Sequence, residues 1–229
     1  MTDAYCHLDM DTESPITDIE QRMSRAFVSH VFLIETWDGR NRRALKQTDK
    51  FSVALCYREE CRGELLQLME TGALTGVRMS TGNIRRNKDF CREMAASGKT
   101  LVAHAEAGVG PLCRELMGLE EMKVYVPHLG WPIREGKTDG DWEPALKEFA
   151  LMRSLRIGIS AIAHFSSRPF PHNDVCHLAL RLISQFPASR IAIGSDYPLF
   201  EKERYADYLC LTRDWVRSIH PKWKTEDSF

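Results

Sequence analysis

Short apolar runs alternate with amphipathic segments along the whole chain, and this alternation most strongly limits the possible folds. Apolar residues at three- to four-residue spacing are typical of helices, and strands that alternate with such helices predict a parallel sheet. The predicted strands are residues 4–8, 28–35, 52–57, 76–80, 100–105, 123–128, 156–164 and 190–195. The predicted helices are residues 16–26, 61–71, 88–97, 110–117, 142–154, 174–185 and 201–219.

The number and composition of the strands favour a closed barrel. Parallel strands covered on both faces carry nearly continuous apolar runs, as residues 31–34 and 157–162 do. Eight such units in 229 residues predict a compact (β/α)8 TIM barrel with short loops after the strands, with an open doubly wound sheet as the alternative. No linker, repeat or low-complexity tract divides the sequence, so we expect one domain over residues 1–229.

Composition narrows the class of partner. The 31 Lys and Arg residues nearly balance the 32 Asp and Glu residues, and a net charge of -1 argues against nucleic acid or an anionic membrane as partner. No apolar run approaches the length of a membrane span. The seven cysteines form no CxxC pair and fit reduced thiols. We therefore expect a cytoplasmic protein that acts on a small molecule.

Chemically active side chains stand where the predicted strands end. The apolar run 190–195 ends at Asp196, and Pro198 prevents the strand from continuing. In TIM barrels the loops after the strands converge on one mouth, where active sites lie. The groups at the eight strand ends are His7, Glu35, Tyr57, Arg78, His104 with Glu106, His128, His164 and Asp196. This set predicts metal binding or acid–base catalysis at the mouth.

Three of these motifs resemble the amidohydrolase superfamily, in particular the branch that contains dicarboxylate lactonases and carboxymuconate-semialdehyde-type decarboxylases. The segments Val126-Pro-His-Leu-Gly130 and Gly194-Ser-Asp-Tyr-Pro198 are the most specific, and Leu101-Val-Ala-His-Ala-Glu106 also matches. The first strand of that family reads Asp-x-His-x-His. Here it reads Asp3-Ala-Tyr-Cys-His7, so a tyrosine replaces the first histidine.

The resemblance implies roles for the matching residues. His7, His104 and Asp196 become candidate ligands of one divalent metal, with zinc the first choice, and Asp196 also exchanges a proton with the attacking water. His128 would stabilise the oxyanion or assist proton transfer. Because Tyr5 is a poor substitute for a histidine ligand, a metal-independent reaction with Asp196 as general base stays equally open.

Cationic residues suggest the substrate. Arginine holds carboxylates in a bidentate manner, so Arg78 and Arg168 are expected to bind a small carboxylated lactone or related ring acid. Tyr5 and His164 are assigned to substrate contacts as well. The neighbouring basic residues Arg85, Arg86 and Lys88 fit a surface cluster better.

Three functions remain open at this point. The leading one is hydrolysis of a carboxylated lactone or cyclic ester by a water that Asp196 activates. The nearest alternative is a metal-dependent, non-oxidative decarboxylase on the same barrel. A barrel that has lost catalysis and only binds a ligand is the third, and its support is Tyr5 and the short loops. A homo-oligomer is open as well, since short loops would leave room for a second subunit to complete the mouth, but no sequence feature identifies an interface.

Overall fold

The computed structural model of the chain describes residues 1–119, 121–134, 137–199 and 201–224. Eight parallel strands form one sheet in which each strand pairs with the next along the chain. They are β1 (Thr2–Cys6), β2 (His30–Ile34), β3 (Phe51–Cys56), β4 (Gly76–Ser80), β5 (Thr100–His104), β6 (Lys123–Val126), β9 (Leu155–Ile159) and β10 (Ile191–Ile193). A short antiparallel hairpin, β7 (Ile133–Arg134) with β8 (Lys137–Thr138), lies between β6 and β9.

The sheet closes on itself because β10 and the residues after it meet β1. The amide of Asp196 donates to the carbonyl oxygen of Tyr5 at 2.9 Å, and the amide of His7 donates to the carbonyl of Tyr197 at 2.7 Å. Below this point the buried carboxylate of Asp3 accepts hydrogen bonds from the amide and the hydroxyl of Ser195. These bonds join the two ends of the chain into a barrel and confirm the predicted fold.

Helices cover the outside of the barrel, and their apolar faces pack against the strands. They are α1 (Pro15–Arg25), α2 (Arg62–Glu70), α3 (Thr81–Arg86), α4 (Lys88–Ala96), α5 (Val109–Leu116), α6 (Trp142–Leu151), α7 (Ile162–Phe165), α8 (Cys176–Gln185) and α9 (Tyr205–Ile219). In the described ranges, none of the helices has both the length and the apolar character needed to cross a membrane.

The connections differ from the prediction in three places. Segment 35–50, between β2 and β3, contains only a single turn of 3-10 helix, Arg42–Ala44, and the hairpin β7–β8 lengthens the connection after β6. Both connections contradict the expectation of short loops, although the predicted bounds already left residues 36–51 and 129–141 outside any strand or helix. The helix α3 follows β4 directly and was missed, because six residues are too short for a periodic pattern to be recognised.

The seventh predicted strand is also too long. The strand β9 ends at Ile159, Ala161 has a left-handed backbone conformation, and α7 begins at Ile162. An apolar run of this length does not by itself distinguish a strand from a buried helix. His164 therefore lies on α7, one turn beyond the strand, instead of at the strand end.

The inside of the barrel holds a small cluster of its own. Alanine side chains at positions 4, 54 and 192 leave room for the larger aromatic and branched residues, and the cluster consists of Ala4, Tyr5, Phe32, Ile34, Ala54, Val102, Tyr125 and Ala192. The pairing of β1 with β2 shifts register between Asp3 and Cys6. Such irregularities re-aim side chains, and this one lies directly below the mouth of the barrel.

Candidate active site

A cavity of about 490 Å³ opens at the carboxyl ends of the barrel strands. Seven of the eight residues that the sequence assigned to the site line this cavity: Tyr5, His7, Arg78, His104, His128, His164 and Asp196. Arg168 is the exception, because it is exposed and lies outside the lining. The topology thus brings together residues from both ends of the chain.

The backbone around the cavity adopts conformations that side chains normally avoid. His128, Leu129 and Trp131 have φ values between 57° and 61°, Ala161 has 55° and Asp196 has 57°. Non-glycine residues in the left-handed region cost free energy and concentrate at functional sites. These five positions follow β6, β9 and β10, so strain is concentrated where those strands reach the mouth.

Asp196 is a buried acid with an unused oxygen. Its Oδ1 has no hydrogen-bond partner among the described residues and lies 3.8 Å from Nε2 of His7. Burial raises the pKa of Asp196 to about 8, although the Arg78 charge opposes the shift and Asp3 adds to it. A carboxyl group with a pKa near neutrality suits a general acid or base.

His7 faces Asp196 in a fixed tautomer. Its Nδ1 lies 2.6 Å from the carbonyl oxygen of Ile34, which can only accept a hydrogen bond, so Nδ1 carries the proton. Burial, assisted by the charge of Arg78, lowers the pKa of His7 to about 3. The ring is therefore neutral, and its Nε2 presents a lone pair towards Asp196.

Two further histidines line the same cavity and are also held neutral. Burial lowers the pKa of His104, whose Nδ1 lies 3.6 Å from Oε2 of Glu106. Burial, with added repulsion from His104, lowers the pKa of His128 well below its usual value. The hydroxyl of Ser160 lies 3.0 Å from Nδ1 of His128 and accepts from the His128 amide. When Ser160 donates its proton to Nδ1, the neutral His128 ring carries its own proton on Nε2 and can donate it.

Arg78 brings a buried positive charge to the cavity. One guanidinium nitrogen donates to the carbonyl of Glu35 at 3.1 Å, Nε is unpartnered, and the guanidinium carbon lies 4.0 Å from the ring centre of Trp37. Among the residues that the structure describes, no carboxylate lies within ion-pair distance of Arg78. A buried charge of this kind is costly without a counter-charge, which indicates an anionic ligand.

Glu35 was also among the strand-end residues, but its carboxylate is fully engaged. Oε2 pairs with Arg42 at 2.7 Å and accepts from the amide of Cys56, while Oε1 pairs with Arg58 at 2.8 Å. Asn41 further fixes this loop by accepting from the amide of Thr36. The role of Glu35 is to anchor the loop that carries Trp37.

Seven residues of the cavity lining were not predicted from the sequence: Thr36, Trp37, Asp38, Arg40, Trp131, Ala161 and Leu199. Trp131 stacks obliquely beside His104 at 4.9 Å between ring centres and beside His164 at 5.1 Å. Its position directly after Val126-Pro-His-Leu-Gly130 was the available signal. Trp37 and Arg40 lie in the long loop after β2, and they were missed because short loops were expected.

The donor atoms fit a metal ion poorly. His7 Nε2 and Asp196 Oδ1 lie near each other, but within the described part of the chain no three His, Cys, Asp or Glu side chains are grouped to hold an ion. A catalytic zinc site normally has three protein ligands. The structure thus places His104 in the same cavity but does not group it with the other two predicted ligands, and Tyr5 adds no imidazole. We derive no chemical step through a metal.

No protein-family model matches the sequence, and no curated protein matches it either. Solved structures do match. A probable 2-pyrone-4,6-dicarboxylic acid hydrolase from Acinetobacter baumannii with bound citric acid has a TM-score of 0.74 and 16% identity, over 99% of this chain and 96% of that one. A zinc-bound amidohydrolase from Burkholderia multivorans gives 0.71 and 14%, over 99% and 93%.

A third similar structure is 2,6-dihydroxybenzoate decarboxylase from Rhizobium, with a TM-score of 0.60 and 11% identity, over 92% of this chain and 86% of that one. Identities this low show the fold alone. The chain has the barrel fold of the amidohydrolases, and these neighbours come from the branch that its motifs resemble.

Proposed function

We propose that the protein is a hydrolase of the amidohydrolase type that opens a small carboxylated lactone or cyclic ester. The observation that carries the proposal is the pairing of Asp196 and Arg78 in one cavity. Among the described residues, Oδ1 of the buried Asp196 has no hydrogen-bond partner, and the buried Arg78 has no carboxylate within ion-pair distance. The acid can take a proton from water, and the arginine can hold a carboxylate of the substrate.

The reaction begins with a water between Asp196 and His7. The 3.8 Å between Asp196 Oδ1 and His7 Nε2 is too long for a direct hydrogen bond, and two acceptors at this spacing can orient a bridging water. In its ionised form Asp196 removes the proton of this water as the oxygen attacks the carbonyl carbon. The tetrahedral intermediate expels the ring oxygen, which receives the same proton from Asp196. One water is consumed, and a hydroxy acid or its tautomer is released.

Arg78 and the aromatic walls support a flat, carboxylated substrate. Trp37 covers Arg78 and packs edge-on against His104, and His104 in turn contacts Trp131. Aromatic faces favour planar rings, and the arginine fork matches a carboxylate. The similar barrel from Acinetobacter baumannii binds citric acid, which also agrees with a carboxylated ligand.

The decarboxylase alternative rests on the similarity to 2,6-dihydroxybenzoate decarboxylase. It uses the same mouth but leads to different products. The third alternative, a barrel that binds a ligand without turnover, predicts no product at all. Product analysis therefore distinguishes all three functions.

The test is incubation of the purified protein with a panel of carboxylated lactones, starting with 2-pyrone-4,6-dicarboxylate, followed by mass spectrometry of the products. A product heavier by one water supports the proposal. Release of carbon dioxide without uptake of water establishes the decarboxylase instead. Saturable binding without any product, measured by calorimetry on the same panel, establishes the ligand-binding barrel.

A further inference from the structure

Tyr5 lines the cavity, but the proposed hydrolysis assigns no step to its hydroxyl group. It stands two residues before His7 on β1, and both side chains line the cavity. Its ring packs edge-on against His128, with 4.4 Å between ring centres, and against His7, with 5.3 Å. Tyr5 is therefore in contact with both histidines that flank the proposed reaction centre.

The barrel is built to admit this side chain. A Cβ atom at Gly194 would lie 2.7 Å from Cβ of Tyr5, closer than side chains tolerate, so a glycine is needed opposite Tyr5. The register shift in β1 between Asp3 and Cys6 allows Ala4 and Tyr5 both to belong to the inner cluster. Two local features of the strands thus hold the phenol at the base of the cavity.

The hydroxyl of Tyr5 is buried and has no hydrogen-bond partner among the described residues. A buried hydroxyl without a partner costs about 1–3 kcal/mol, and native proteins rarely leave one unexplained. A phenol has an ordinary pKa of about 10, so Tyr5 keeps its proton at neutral pH and can donate a hydrogen bond. Its neighbours Asp196 and Arg78 likewise have unpartnered atoms, which places several unused polar groups around one space.

We infer that Tyr5 is a catalytic residue that donates a hydrogen bond to the oxyanion of the tetrahedral intermediate, in place of the charge a metal ion would supply. This inference rests on the proposed hydrolase function. Zinc needs a third protein ligand, and the position beside His7 and Asp196 is filled by a phenol instead. Tyr5 and His128 then form a pair of adjacent donors for one oxygen atom.

The role of Tyr5 does not change the balance of the reaction. Its O–H bond stays intact while the attacked carbonyl oxygen gains negative charge and then loses it as the ring oxygen departs. The proton from water still moves to Asp196 and on to the leaving oxygen. Oxyanion donors of this kind act on the transition state more than on the bound substrate.

The first test is the Tyr5→Phe variant, assayed on whichever lactone of the panel the wild type opens. Loss of one oxyanion donor lowers kcat about 100- to 1000-fold, and we expect KM to stay close to the wild-type value. Tyr57→Phe is the matched control, since Tyr57 is a buried tyrosine at the same end of β3 whose hydroxyl binds Glu59 and Asn87 outside the cavity. It should retain full kcat.

Thermal unfolding of Tyr5→Phe checks that a loss of activity is not a loss of structure. Removing a buried hydroxyl that has no partner should leave the melting temperature unchanged or raise it. A wild-type kcat in Tyr5→Phe overturns the inference, and so does a loss of kcat that a lowered melting temperature accounts for at the assay temperature.

The second test uses zinc alone and needs no substrate. After dialysis the wild-type protein should contain well below one equivalent of zinc, and titration with zinc in a calorimeter should show no stoichiometric site. One tightly held equivalent that is lost in His7→Ala overturns the inference, because the metal would then supply the charge assigned to Tyr5.

Failure of this inference and failure of the proposed function give different results. If no lactone is opened by the wild type, or Asp196→Asn keeps wild-type turnover, the hydrolase function with Asp196 as base is wrong whatever Tyr5 does. If Asp196→Asn is inactive while Tyr5→Phe is fully active, the function stands and the role of Tyr5 is rejected.

Discussion

Two acids occupy equivalent places in the barrel, and their surroundings are opposite. Glu35 follows β2 and Asp196 follows β10, and both are almost completely buried. The carboxylate of Glu35 is bound by Arg42, by Arg58 and by the amide of Cys56. Oδ1 of Asp196 has no partner in the described residues, and the nearest histidine nitrogen is 3.8 Å away.

The difference shows that position at a strand end does not by itself identify a catalytic residue. Buried polar groups are normally satisfied by hydrogen bonds, and a satisfied carboxylate stabilises the loop it holds. An unsatisfied one remains available to water and substrate. Whether a buried carboxylate has all its hydrogen-bond partners therefore distinguishes an acid that stabilises this barrel from one that is available at the site.

The largest expected effect is on Asp196, whose Oδ1 has no hydrogen-bond partner among the described residues. Asp196→Asn removes the proposed base while preserving the shape of the side chain, and general-base catalysis contributes about 100- to 10,000-fold. We expect kcat to fall by that factor, while the melting temperature stays the same or rises. Steady-state kinetics and thermal unfolding check both parts, and an unchanged kcat would remove Asp196 from the mechanism.

The opposite result is expected for the saturated acid. Glu35→Gln leaves two arginines without their shared carboxylate, and breaking a buried ion pair costs about 3 kcal/mol. For a chain of this size that corresponds to a melting temperature lower by about 6–12 °C. The kcat measured on folded protein should stay within a few-fold of the wild type. A stable but inactive Glu35→Gln would contradict the division into scaffold and site.

A smaller effect is expected at the two arginines that the sequence analysis assigned to substrate binding. Arg78 lines the cavity and Arg168 does not. Hydrogen bonds to charged groups contribute about 1.5–3 kcal/mol, so Arg78→Ala should raise KM about ten- to hundredfold. Arg168→Ala serves as the control and should change KM little. An equal effect of both substitutions would place the substrate outside the cavity described here.

The smallest expected effect is the pH dependence. Because burial raises the pKa of Asp196 to about 8, most of the resting protein carries a protonated Asp196 at pH 7. Only the ionised form is a base, so kcat/KM should rise about tenfold from pH 7 to a plateau above about pH 9. A profile that is flat above pH 6 would show that the Asp196 carboxyl titrates in its usual range.

The raised pKa of Asp196 also determines the direction in which the stability of the fold changes with pH. The folded chain holds a proton on Asp196 that the unfolded chain releases near pH 4, so the folded state is favoured below that range and loses stability as pH rises to about 8. Asp196→Asn should remove this part of the decline. Thermal unfolding of both proteins at several pH values measures the difference.

Much of the barrel was predictable from the sequence because its strands are continuous apolar runs and its helices are amphipathic. The same signal failed at residues 160–165, where an apolar run turns into α7 after the left-handed Ala161. The histidines and Asp196 could be placed at the mouth because topology brings all strand ends together. The sequence could not reveal which buried acids have all their partners, since the partners of Glu35 come from two different loops and from the end of β3. Trp37 and Trp131 each follow a predicted strand end closely, but they were missed because the pattern of apolar residues does not show which loop side chains turn into the cavity.

The proposed attack of water with Asp196 as its base is tested most directly by ring opening of a carboxylated lactone in water labelled with oxygen-18. For the wild type we predict one labelled oxygen in the newly formed carboxylate of the product. Asp196→Asn under the same conditions should incorporate label at least 100-fold more slowly, and Glu35→Gln at nearly the wild-type rate. A product that has lost carbon dioxide and carries no label, or equal incorporation by the wild type and Asp196→Asn, would contradict the account.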